Sequence, residues 1–93
     1  MARTTQAEVR AAFDRLCAAL GRSTNTWTGN RANVGALALD SNHIYGGYTI
    51  EEMMNEAGGV RQPFGYERMP AGEFVRAVRF TLDVLDMDRR ARR

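Results

Sequence analysis

The chain has 93 residues, and its 13 basic and 11 acidic side chains leave a formal charge of +2. That length supports one domain with a thin core, the kind that disulfides, metals or a partner subunit commonly reinforce. The single cysteine, Cys17, and the single histidine, His43, exclude an intrachain disulfide and fall short of a metal site, so self-association is the expected reinforcement.

Charge is unevenly placed. Every basic residue is arginine, a pattern that fits a GC-rich coding sequence better than selection for anion contacts. Residues 89–93, RRARR, carry four of these arginines, and the other nine face eleven acids, so the body is near −2. A global basic footprint for nucleic acid is therefore missing, and the tail reads as a solvated end. The N-terminus MARTTQAEVRAAF lacks an apolar signal core and no apolar run approaches a membrane span, which predicts a soluble, intracellular protein without a membrane partner.

Residues 4–22 predict an amphipathic helix. Thr5 and Glu8 have capping-box spacing, Val9, Phe13, Leu16 and Leu20 recur along one face, and Gly21 ends the run. RSTNTWTGNRAN then predicts a loop whose Trp27 packs back on the body. VGALALD, residues 34–40, suits a largely buried strand, and SNH a turn. A second helix opens near Pro70, its expected first position, with Glu73 in the first turn and Phe74, Val78, Leu82 and Leu85 as its buried stripe.

Local rules disagree in the middle. TIEEMMNEAGG can be a helix over 50–57, with Thr49 and Glu52 as a capping box, Ile50, Met53, Met54 and Ala57 on one face, and Gly58 as terminator. It can also be a strand with Tyr48, Ile50 and Met54 on one side, where Glu52 interrupts the alternation. Propensity favours the helix, and a helix there would resemble the first half of a DNA-binding helix-turn-helix. The recognition helix that must follow is broken by Pro63 and Gly65, so this small DNA-binding regulator, of phage or bacterial origin, is the second choice and nucleic acid is disfavoured as a partner.

The block IYGGYTIEEMMNEAGGVRQPFGYERM, followed by an amphipathic helix, resembles the phage Thoeris anti-defence sponge family over about residues 34–85. Those proteins capture cyclic ADP-ribose signals made by bacterial TIR-domain immune enzymes. The resemblance implies an α+β fold in which a small antiparallel sheet, with strands near 34–40 and 45–55, is flanked by an N-terminal and a C-terminal helix. It implies a homodimer that can assemble further into a hexamer, in the cytoplasm of the bacterial host cell. The implied ligand is a cyclic ADP-ribose isomer or another cyclic nucleotide, held at the subunit contact and not cleaved. Tyr45 would stack on the adenine and Asn55 would give a polar contact. Arg68 or Arg76 would meet the phosphates, and Gly46 and Gly47 would admit the ligand close to the backbone.

Those roles make chemical sense, since aromatic stacking on a base is worth about 1–3 kcal/mol and arginine grips phosphate with two donors. Each residue also has a structural alternative: a turn for Gly46, Gly47 and Asn55, sheet packing for Tyr45, and solvated helix pairing for Arg76 beside Arg79 and Asp83. No Walker, Rossmann or GxSxG pattern occurs, and Glu51 and Glu52 would point apart on a strand. The expectation is a single binding domain over residues 1–93, with no enzymatic activity, cofactor or metal.

Overall fold

Thr5 starts the first helix, its extended backbone turning into α1 (Gln6–Leu20) while its hydroxyl accepts from the Glu8 amide at 3.2 Å. Gly21, at φ 68°, ends α1 in the left-handed conformation and donates back to the carbonyl of Ala18. In the computed structural model, which describes residues 4–41, 46–63 and 68–92, five short strands and a second helix follow. These are β1 (Trp27–Thr28), β2 (Arg31–Ala32), β3 (Leu37–Ser41), β4 (Tyr48–Met53), β5 (Val60–Arg61) and α2 (Ala71–Ala91). The architecture is α+β: α1 and α2 pack together against one face of an antiparallel sheet ordered β3-β4-β5, and β1 and β2 form a separate small hairpin.

The middle segment is strand, as the expectation of a strand near 45–55 has it, and the helix that local propensity favours over 50–57 does not form. Five residue pairs, from Leu37↔Glu52 to Ser41↔Tyr48, knit β4 to β3. Glu52↔Arg61 and Met53↔Val60 hold its other edge to β5, and Tyr48 exchanges two backbone hydrogen bonds with Met69, at 2.8 and 2.9 Å. β4 is thus central, with Thr49 and Met53 buried on one face and Ile50 and Glu52 on the other. Burial on both faces removes the alternation that marks a strand, leaving a run that local propensity takes for helix. The first helix of a helix-turn-helix is therefore missing.

Both expected strands are shorter than their sequence bounds. The strand placed at 34–40 forms over Leu37–Ser41, because Val34, 63% exposed, and Gly35 belong to the approach from β2. The strand placed at 45–55 is described over Tyr48–Met53 and stops before Asn55, which begins the turn to β5. Met54, which the helix reading sets on one apolar face with Ile50 and Met53, is 46% exposed just beyond the strand. The predicted loop contains the β1–β2 hairpin, and Trp27, still 47% exposed, lays its ring on the β4–β5 turn, where a Cβ at Gly58 would lie 2.8 Å from it.

The main core gathers Val9, Phe13, Leu16 and Cys17 of α1, Leu37 and Ile50 of the sheet, and Phe74 and Val78 of α2. Tyr48 meets Phe74 at a ring separation of 6.0 Å. Each large apolar side chain removed from water here contributes about 1.5–3 kcal/mol. Leu20, expected on the buried face, is 38% exposed at the end of α1. Pro70 is the N-cap of α2 and Ala71 its first residue. The presumed tail is largely helix: α2 runs through Ala91, with Arg90 paired to Asp86 at 2.8 Å and Arg92 to Asp88 at 3.0 Å. No helix among the described residues is long and apolar enough to cross a membrane.

Candidate functional site

The glycine doublet sits where the chain enters β4. Gly46 and Gly47 have φ of 74° and 83°, a conformation that costs other residues about 1–2 kcal/mol. Gly47 is also crowded: a Cβ there would lie 2.8 Å from the Arg68 Cβ and 3.3 Å from its carbonyl carbon. The antiparallel backbone pairing of Tyr48 with Met69 sets Arg68 opposite Thr49 and so holds the Arg68 segment alongside the chain where it enters β4.

Arg68 reaches across β4 and pairs through Nη2 with Asp40 on β3. Asp40 stands opposite the buried Thr49, so ion pair and threonine share one face of the sheet. The two charged side chains are about 30% exposed, at 28% and 31%. Arg68 Nη1 is buried and has no hydrogen-bond partner among the described residues. A buried donor left unsatisfied costs about 1–3 kcal/mol, so a guanidinium nitrogen in this position favours an acceptor.

Three expected site residues, Gly46, Gly47 and Arg68, therefore meet at one end of the sheet. Tyr45 lies outside the described residues. Asn55 lies beyond the other end of β4, whose six residues extend about 17 Å at the usual strand rise. Its Oδ1 accepts from the amides of Ala57 at 3.0 Å and Gly59 at 2.9 Å, so the carboxamide organises the β4–β5 turn. Arg76 is exposed on α2, two residues from both Phe74 and Val78 and so about half a turn from the buried face. The structure brings neither Asn55 nor Arg76 to the doublet.

A second polar cluster was not anticipated. Glu52, its side chain 11% exposed, receives Arg61 Nε at 2.7 Å and Arg22 Nη1 at 3.2 Å. Arg22 Nη1 also donates to the Gly35 carbonyl at 3.1 Å. The hydrogen bond from Arg61 is the main cause holding the Glu52 carboxyl below its ordinary value; desolvation opposes it, and the charges of Arg61 and Arg22 add to it. The cluster borders a cleft of about 150 Å³ with Leu20, Leu37 and Pro63. The signal was the glutamate itself, since a charge on the inward face of a strand requires cationic partners. Among the described residues no group of three His, Cys, Asp or Glu side chains stands together. No protein-family profile matches the chain, and no curated protein or solved structure shows a significant similarity to it.

Proposed function

We propose that this chain binds and sequesters a cyclic ADP-ribose-type nucleotide without cleaving it, as the phage immune-evasion proteins it resembles do. The observation that carries this reading is Arg68, folded over Gly47 with one buried guanidinium nitrogen that has no hydrogen-bond partner among the described residues. A phosphate oxygen supplies that acceptor, and Gly46, where an added Cβ would meet no described atom within 4 Å, leaves room for it beside the backbone. Asp40 neutralises Arg68 in the free protein, so ligand binding shares or displaces that ion pair. Tyr45, immediately before the doublet, supplies the stacking surface for adenine.

The length of β4 imposes a condition on this reading. A small nucleotide held at Gly47 does not reach Asn55 of the same chain, so a pocket using both is built between two copies, one giving the doublet and the other the β4–β5 turn. Arg76 is exposed on α2, and this reading assigns it to the second copy as well.

Retention provides the test. Purified protein is mixed with a cyclic ADP-ribose isomer, desalted and heated, and the released nucleotide is identified by mass. Intact nucleotide is expected, with retention falling tenfold or more in Arg68→Ala and Tyr45→Ala while the far-UV spectrum is unchanged. Absence of retention, release of a cleaved product, or full retention by Arg68→Ala refutes the proposal.

A further inference from the structure

Helix α2 has a second apolar stripe that its own core does not use. Phe80, Val84 and Met87 are 72%, 49% and 65% exposed. With the exposed Ala91 they recur at spacings of four, three and four residues, the rhythm of a two-helix seam. The inner stripe ends at Leu85, the last α2 residue packed on the core, so the final turns project beyond it. The radius of gyration, 14.2 Å, exceeds the about 12 Å of a compact chain of this length. Helical turns without tertiary support are marginal in water, and exposed Phe and Met side chains add an unfavourable surface.

We infer that the C-terminal half of α2 pairs antiparallel with the same segment of a second copy. The charges beside the stripe select both occupant and register. Asp83 and Arg90 are exposed on the flank away from the core, seven residues apart. Setting Val84 against the partner's Met87, and Phe80 against the partner's Ala91, fills every layer with apolar side chains and matches large to small. The same register brings Asp83 beside the partner's Arg90, and symmetry repeats the pair. Sliding the helices by one heptad sets Asp83 against the partner's Asp83 and Arg76 against the partner's Arg90. A parallel arrangement turns Asp83 toward the partner's Asp88. A copy of this helix offers both the apolar rhythm and the opposite charges, and a two-fold contact between identical patches closes on itself. Arg90, paired with Asp86 in the single chain, is 65% exposed and has further guanidinium donors to offer across the seam.

The interface goes beyond the nucleotide reading, since neither Gly47 nor Arg68 takes part, and it is tested without nucleotide. A seam of about three turns buries less than the about 800 Å² per partner of a standard interface, so association belongs in the range of roughly 10–100 μM. Sedimentation equilibrium of the full chain should show the mass rising from 10.4 kDa toward twice that value with concentration. Met87→Asp should weaken association at least tenfold with the helical signal preserved. Asp83→Arg and Arg90→Asp should each weaken it severalfold, and the double variant should recover it. A monomer up to about 500 μM, a Met87→Asp protein that still dimerises, or a double variant as weak as the singles overturns the inference.

Discussion

Asn55 separates a structural role from a binding role in one experiment. Its Oδ1 accepts two backbone amides, Ala57 at 3.0 Å and Gly59 at 2.9 Å, in an exposed turn. Alanine removes both acceptors. Water replaces them because the turn is exposed, so each bond is worth the lower end of the usual range and the pair about 1 kcal/mol. For a domain of this size that lowers Tm by about 4–8 °C. Aspartate preserves the acceptor and should hold Tm near that of the parent, but it replaces the carboxamide donor with a negative charge that repels a phosphate-bearing ligand. Thermal unfolding followed by circular dichroism gives the first quantity and nucleotide retention the second. Equal loss of Tm in both variants, or no loss in Asn55→Ala, refutes the turn-capping role. Retention by Asn55→Asp equal to the parent's refutes its contact with the ligand.

Gly47→Ala should cost at least about 1–2 kcal/mol from its left-handed backbone, and more because the new methyl meets Arg68, so urea unfolding should shift to lower denaturant and nucleotide retention should fall. Glu52 has a pH signature. Its folded pKa is below the ordinary 4.5, so the unfolded chain binds the proton more tightly. The stability from its two arginine partners is complete above about pH 4.5 and disappears as the pH falls through the lowered folded value, so Glu52→Gln should show a flatter acid limb in unfolding measurements. Phe74→Ala, at a site 1% exposed between Tyr48 and α1, should cost about 3–5 kcal/mol, which is a large share of the stability of so small a domain; a loss under 1 kcal/mol measured by chemical unfolding contradicts the central packing of α2.

Both helices were legible in the chain because their signals are local. Thr5, Gly21 and Glu73 mark helix ends within a few residues of sequence, and Val9, Phe13, Phe74 and Val78 repeat at the helical period on faces that are indeed buried. The glycine doublet was legible as an unusual backbone for the same reason. Tertiary structure decided the remainder. Residues 48–53 became strand because β3, β5 and Met69 supply backbone partners from both sides, a non-local gain that local helix propensity does not register. The same pairing laid Arg68 over Gly47 and carried it across the sheet to Asp40, 28 residues away in sequence, and it separated Asn55 from the doublet by the length of β4. Periodicity and capping act over one or two turns of chain, whereas the partners of a charge or a strand edge exist only once distant segments have met.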